Sequence, residues 1–491
     1  MVDTTTPASV RRRLVEQFED LALFQRDRAT ALYHFCAAFE LIPTPVTDNL
    51  DIAMARGRHA AEACMRAIPT IFRICSIVPM ASLRINPDVL VEAAQLVDFA
   101  SRYDQVMYCF ELADRGQFEV RYDTLAQCTV FSYVSPEEST ADTLLRTHER
   151  DSKIAKASES ELVITGELVR QVKDELNRVI LFVSPDGIEY RWSPTLLSLT
   201  RRFAEVAARA MHWEFPSNLS IGNLTFGDAR KFWGVLHAIA MVHNGAHLMT
   251  TQSENLPRES ILLLKRRADW QELIANVSCI SVGAVSELLW WYTFDLNVAG
   301  ATAPIQPFFE IIPDHLALPL GLVTTHSVER NIQRILSRHP ALRALYPQVK
   351  DAKEQIALSH LASLFPETAF TVKPTVIIKG VTDADLVVFE RRSGSALVVQ
   401  HKWLIAPETV AESGANDDEL RKGSAQAVRS RDVFRNDRAL LRRVLNLSDD
   451  QLVHGVEGVV ICRGAEPTGF LEKLAVPVVL EAAFEELWRL A

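Results

Sequence analysis

The stretch from Thr382 to Trp403 constrains the fold more than any other in this chain. It reads Thr-Asp-Ala-Asp-Leu-Val-Val-Phe-Glu, then Arg-Arg-Ser-Gly-Ser, then Ala-Leu-Val-Val-Gln-His-Lys-Trp. Two short apolar runs, both rich in β-branched residues, flank a polar turn that holds Gly394. β-Branched side chains suit the pleated surface of a sheet, so the pattern predicts a strand, a turn and a second strand. Successive side chains on a strand alternate between its two faces. Gln400 and Lys402 therefore project together, and His401 points the other way. Asp385 opens the first strand, and pairing of the hairpin brings it beside them at the open end.

This arrangement resembles the active-site hairpin of the PD-(D/E)XK nuclease superfamily, whose fold is restriction-endonuclease-like. The matching residues are Asp385 and the triplet Gln400-His401-Lys402, with Gln400 standing where Glu or Asp is commoner. Some branches, including nucleases resembling those that restrict modified DNA, carry Gln there. The resemblance implies a divalent metal, Mg²⁺ or Mn²⁺, held by Asp385, the Gln400 amide oxygen and the main-chain carbonyl of His401. It gives Lys402 the task of orienting the attacking water or stabilising developing charge. It also implies an acid lent by the helix ahead of the strands, with Glu354 the first candidate and Glu329 the second. A glutamine beside the lysine is matched by Gln426. Glu408 and Glu412, four apart, are further acids able to make up for the lost carboxylate. The resemblance covers about residues 305 to 480 and implies that Asp385→Ala and Lys402→Ala abolish cleavage, while Gln400→Glu retains or raises it.

The chain has 491 residues and a hydrophobic content of 48%, enough for real cores and for about two to four domains. Its net charge of −10 gives no global sign of nucleic-acid binding, so a DNA-binding surface must be a local basic patch. From Arg421 to Arg443 there are eight basic residues against two acidic ones. Arg421, Lys422, Arg429, Arg431 and Arg435 are the expected contacts to a phosphate backbone, since such contacts release counterions. A charged, solvated helical exterior is the plainer account of the same run. Lys265-Arg266-Arg267 is a second basic cluster, expected on the polar side of a helix that Pro257 begins.

Seven scattered cysteines with no CxxC pair fit a reducing cytoplasm and argue against a zinc knuckle or a disulfide scaffold. The N-terminus shows no basic region followed by an apolar core, so no signal peptide is read. The most apolar window, Val277 to Phe294, is broken by Glu287 and reads as a buried core element, with no membrane partner. No Gly-x-x-x-x-Gly-Lys-Ser/Thr loop is present, which argues against nucleotide-driven translocation.

Residues 1–300 read as a mainly helical recognition or regulatory region. Arg11 to Phe39 is expected as one helix, Asp48 as the cap of the next, and Pro87 to Phe99 as a third. Val106 to Ala113 and Gln117 to Tyr122 are either a hairpin or two helix ends. His237, His243 and His247 fall on a helix capped by Asp228, and core or surface packing explains them better than a metal. Gly300 to Pro307 suits a linker, so the boundary is expected near residue 300. Residues 301–491 are then the α/β nuclease-like domain, a central mixed sheet flanked by helices. Three functions follow in order: a metal-dependent nuclease acting on DNA, with bacterial genome defence as the family expectation; a catalytically inactive DNA-binding module of the same fold; and a helical scaffold. A homodimer and a protein partner for the helical region stay open.

Overall fold

In a computed structural model of the chain, the described residues are 6–41, 64, 66–78, 84–114, 116, 118–123, 128–134, 159–184, 187–210, 215–251, 262–298, 306–324, 328–378, 382–405, 410–464 and 474–490. Two compact units divide the chain. The first holds Met1–Met107, Tyr122–Thr129 and Ser152–Tyr346; the second holds Tyr108–Arg121, Val130–Asp151 and Pro347–Ala491.

The first unit is mostly helical. The long helix expected from Arg11 to Phe39 is broken into Pro7–Glu19, a 3₁₀ turn Ala22–Gln25, and Arg28–Leu41. The break has a local cause: the Asp27 carboxylate accepts the Thr30 N–H at 2.9 Å, which starts a new helix. The Asp48 cap and most of the helix expected through Ala53, Ala60 and Ala63 lie outside the described residues. Pro87 opens a helix that runs to Asp114, so Val106–Ala113 is a helix end. The hairpin follows it, pairing Phe118–Asp123 with Cys128–Tyr133, and its Phe118–Arg121 and Val130–Tyr133 parts belong to the second unit. The histidine helix is Phe226–Thr251. Its cap is Thr225, and Asp228 completes a reciprocal box, Thr225 N–H to Asp228 at 2.9 Å and Asp228 N–H to Thr225 Oγ1 at 3.1 Å. His243 and His247 are buried, and the His243 ring lies 3.3 Å from the Tyr190 hydroxyl. Burial pushes His237 down to about 4, as expected for a neutral packing residue.

Two expectations for this unit are corrected. Leu263–Arg266 is a strand, not part of a helix, and the helix begins only at Arg267. A short apolar run reads alike for a buried strand and a buried helix. Of its basic triplet, Arg266 is paired with Asp269 at 2.8 Å. The boundary also moves. Leu263–Arg266 joins Phe309–Ile312 and His315–Leu318 in one three-stranded sheet, so the chain on both sides of residue 300 belongs to the same unit. The division falls at Tyr346/Pro347. Val277 to Phe294 contributes to the core through Val285, Leu288, Leu289 and Trp291, which are fully buried, while Val282 and Trp290 are exposed. Among the described residues no single helix is long and apolar enough to cross a membrane.

The C-terminal part of the second unit is a mixed five-stranded sheet flanked by helices. A helix α1, Tyr346–Ser363, leads into strands β1, Phe370–Ile378, β2, Thr382–Glu390, and β3, Ser395–Trp403. Helices α2, Val410–Asn436, and α3, Arg438–Leu445, cross to β4, Gly455–Arg463, and the chain ends with β5, Val478–Leu480, and α4, Glu481–Leu490. The strand order follows the sequence, antiparallel from β1 to β3 and parallel from β3 to β5. α2 begins at Val410, so the acidic run Asn416 to Glu419 lies inside the helix and not at its first turn.

The two faces of the sheet bury different sets of side chains. Ala396, Val398, Val387 and Phe389 pack against Phe434 of α2 and Leu441 of α3. Val399, Leu386, Val388 and Ile461 pack against Leu358 and Leu361 of α1 and Phe484 of α4. β4 is buried on both sides, which is why it reads as the unbroken run Val-Val-Ile-Cys. The β2–β3 turn needs Gly394 twice over. Its φ is +68°, and a Cβ there would come within 2.5 Å of the Leu452 carbonyl oxygen and the His454 ring.

Candidate functional site

The faces of β1 and β2 do not alternate evenly along their length. Phe370 and Val372 of β1 pack on the α1/α4 side, whereas Val376 and Ile378 pack on the α2/α3 side. On β2 the same reversal separates Leu386, on the α1/α4 side, from Ala384, on the other. Strict alternation would keep residues an even number apart on one face, so both strands rotate together between these points. The pivot is Thr375, whose φ is +51°, a left-handed conformation that is costly for a β-branched residue. The register pairs Pro374↔Leu386 and Val376↔Ala384 set Asp385 directly across from Thr375.

The same point ends the pairing of the hairpin. The β2–β3 ladder runs from Glu390↔Ser395 to Leu386↔Val399 and goes no further. Side chains bridge the opening. The Asp385 carboxylate accepts the main-chain N–H of His401 at 2.7 Å, and the Gln400 amide donates to the Asp383 carbonyl at 2.7 Å. The Ser430 hydroxyl of α2 donates to that same carbonyl at 2.8 Å. Gln400 is almost wholly buried, at 1% exposure, and its NH₂ group is committed to the backbone. That leaves the amide oxygen as the end of the side chain with metal-ligand chemistry.

Lys402 lies on the α2 side as its parity with Gln400 requires. Its ammonium donates to Gln426 Oε1 at 3.1 Å. Gly423 makes the approach feasible, because a Cβ there would sit 2.9 Å from Lys402 Cε. Gly423 and Gln426 are three apart on α2 and so share a face: one admits the stem and the other receives the charge. Burial pushes the Asp385 carboxyl above its ordinary range. The His401 N–H and the Lys402 charge pull it back, and the nearby Glu354 charge pushes it up again. Glu354, exposed on α1, is therefore within electrostatic reach of Asp385. Carboxylate oxygens are the ligands a hard divalent cation favours, and Asp385 is the half-buried one at the gap. Asp385, Gln400, His401, Lys402, Gln426 and Glu354 are thus brought to one end of the sheet. Glu329 is not: it is buried in the first unit, where it accepts the Phe215 N–H at 2.8 Å. Glu408 lies outside the described residues, as does the Glu412 side chain.

His401 points to the opposite face, as its position predicts. Its ring nitrogen Nε2 lies 3.2 Å from Glu481 Oε2 at the start of α4. Glu481 also faces Arg463, at 3.5 Å, and His360 of α1, at 3.8 Å. Burial alone would raise the Glu481 carboxyl, but His401, Arg463 and His360 together hold it below the usual range. Trp403 ends β3 with Arg463 4.1 Å from its ring centroid and Lys353 5.1 Å away. Ser430, Glu481 and His360 carry no local signal in the sequence, whereas Gly423 belongs to the run Lys-Gly-x-x-Gln that ends at Gln426.

The basic run of α2 and α3 is largely occupied. Arg421 pairs with Asp418 at 3.0 Å and Lys422 with Glu419 at 2.6 Å. Arg431 binds Asp432 and the Ala475 carbonyl, and Arg435 binds the Val456 carbonyl and Glu457. Arg438 and Arg442 hold the Val453 and Ser448 carbonyls. Most partners lie just outside the window that was counted, so the local excess of charge is smaller than the run suggests. Arg429 stands exposed. A scan against protein-family models, a search of curated proteins and a search of solved structures each return no match.

Proposed function

We propose that the C-terminal part of the second unit is a restriction-endonuclease-like domain of the PD-(D/E)XK type, and that it hydrolyses phosphodiester bonds of nucleic acid, with DNA as the expected substrate and Mg²⁺ or Mn²⁺ as the cofactor. The observation that carries the reading is the parting of β2 from β3 at Asp385, with Lys402 held by Gln426 beside the gap. A helix, three antiparallel strands, two helices and a parallel strand surround it, and the helix ahead of three strands supports the reading.

Asp385, the Gln400 amide oxygen and the His401 carbonyl would hold the ion, with Glu354 as the added acid. Bound there, the ion supplies positive charge against the scissile phosphate and polarises the attacking water. Asp385 is fixed for this role by the His401 N–H, and Gln400 by the Asp383 carbonyl. Lys402 is positioned to hydrogen-bond the attacking water or to stabilise the charge that develops on the phosphate oxygens. Water adds to phosphorus and gives up a proton to solvent as the bond to the leaving oxygen breaks, and that oxygen leaves with a proton from solvent. Arg429 and the exposed Arg421 and Lys422 are the groups available to the phosphate backbone. Surface ion pairs are worth only about 0–1 kcal/mol, so exchanging Asp418 or Glu419 for a phosphate costs little.

A second reading is a module that binds DNA without cutting it. The burial of Gln400 favours it, since one neutral, tightly held amide replaces an anionic ligand. Incubation of the full chain with plasmid and single-stranded DNA in Mg²⁺, Mn²⁺ or chelator separates the two. The nuclease reading expects metal-dependent cutting that Asp385→Ala abolishes. Salt-sensitive binding with no cutting in either metal selects the second reading.

A further inference from the structure

The face of the sheet away from Lys402 carries its own cluster of ligand atoms. His360 Nε2 lies 2.8 Å from Glu485 Oε1 and 3.8 Å from Glu481 Oε1, and one ligand atom from each residue falls within 4.8 Å of the others. Glu481 and Glu485 are four apart on α4, which puts them on one helical face. His360 comes from α1, on the same side of the sheet.

We propose that His360, Glu481 and Glu485 form a binding site for a divalent transition metal of the zinc class, which cross-links α1 to α4. Such an ion binds one imidazole and two carboxylates at about 2.0–2.2 Å, leaving an open position for water. Ligand atoms around it then stand roughly 3–3.5 Å apart, and the observed 2.8 and 3.8 Å bracket that spacing. The ion takes the place of the hydrogen bond between His360 and Glu485.

Two further observations favour a cation. The first is charge. Two carboxylates converge on His360, and the Arg463 guanidinium, 3.5 Å from Glu481, is also stacked on Trp403. The second is orientation. His401 engages Glu481 Oε2, the outer hydrogen bond that metal-ligating carboxylates characteristically have, while Oε1 faces both His360, at 3.8 Å, and Arg463, at 3.5 Å. Access is open as well, since the His360 side chain is 41% exposed and that of Glu485 21%. This site is separate from the proposed Mg²⁺ site and does not depend on the reading of the chain as a nuclease.

The test is a Co²⁺ titration of the untagged full chain in the Asp385→Ala background, read by visible absorption, followed by displacement with Zn²⁺. The expected result is one equivalent of Co²⁺ with ligand-field absorption, displaced by Zn²⁺. Affinity falls at least about tenfold in His360→Ala and in Glu485→Gln. Zn²⁺ also raises the melting temperature of the parent but not of either variant. Glu485→Gln is a mild, partly exposed change, so it reports binding even where His360→Ala fails to fold. Absence of Co²⁺ absorption, or binding unchanged in Glu485→Gln, overturns the proposal. Loss of DNA cutting in Asp385→Ala with the Co²⁺ signal intact leaves it standing.

Discussion

Two acids flank β3 at its open end, and they are stabilised in opposite ways. Asp385 lies at the strand gap, where burial and the neighbouring Glu354 outweigh the help of one N–H and one lysine, and its carboxyl is pushed up. Glu481 lies at the start of α4 and is also buried, yet His401, Arg463 and His360 hold its carboxyl down. Residues of the same chemistry near one end of the sheet are thus under-compensated in one place and well compensated in the other. An under-compensated carboxylate costs stability and is poised for a cation; a compensated one contributes to the fold.

The largest test of this contrast concerns packing. Phe434 is fully buried against the α2 face, and Phe434→Ala should cost about 3–5 kcal/mol in denaturant unfolding. Phe484 on the other face keeps some exposure, and Phe484→Ala should cost less. Equal losses would mean that the two faces share one core. Next comes Gln400→Glu. It removes the donor to the Asp383 carbonyl and sets acceptor against acceptor, so the metal-free protein should lose roughly 1–3 kcal/mol. Added Mg²⁺ should recover part of that loss if residue 400 faces the ion.

The pH dependence of the two acids should have opposite signs in chelator. A raised native Asp385 means that the folded state keeps its proton while the unfolded state loses it, so the Asp385 contribution falls as pH rises above the ordinary aspartate range. Asp385→Asn should therefore raise the melting temperature at neutral pH and leave it unchanged at low pH. Glu481 is lowered, so its contribution is present above the ordinary glutamate range and is lost as pH falls through its native value. Glu481→Gln should lower the melting temperature at neutral pH and converge with the parent in acid. Two melting curves shifting the same way would break the comparison. The smallest effect on stability is expected for Gly423→Ala. Helix propensity gains about 1 kcal/mol at most, while the new methyl displaces Lys402, so cutting should fall roughly tenfold with no loss of stability.

Much of this end of the sheet was legible in the sequence because it depends on local rules. The period of two separated Gln400 and Lys402 from His401, and the Gly394 turn set the hairpin register. The pairing of Lys402 with Gln426 came from resemblance and was matched by geometry. What stayed hidden depends on distant partners or on a broken period. Nothing local announces that β1 and β2 rotate at Thr375 and Asp385. His360 and Glu485 are 125 residues apart, and the partners of Arg435 and Arg442 lie beyond the helix that carries them. The boundary expected at residue 300 failed for a similar reason: a Gly- and Pro-rich stretch marks a linker only if the strands on either side do not pair, and here they do.

The most direct measurement is the initial rate of plasmid cutting by the full chain in Mg²⁺, with Lys402→Ala alongside and DNA affinity measured for both. The account expects the variant to bind DNA and to cut at least about a hundredfold more slowly. Equal rates from the two proteins, in the same metal and salt, would contradict it.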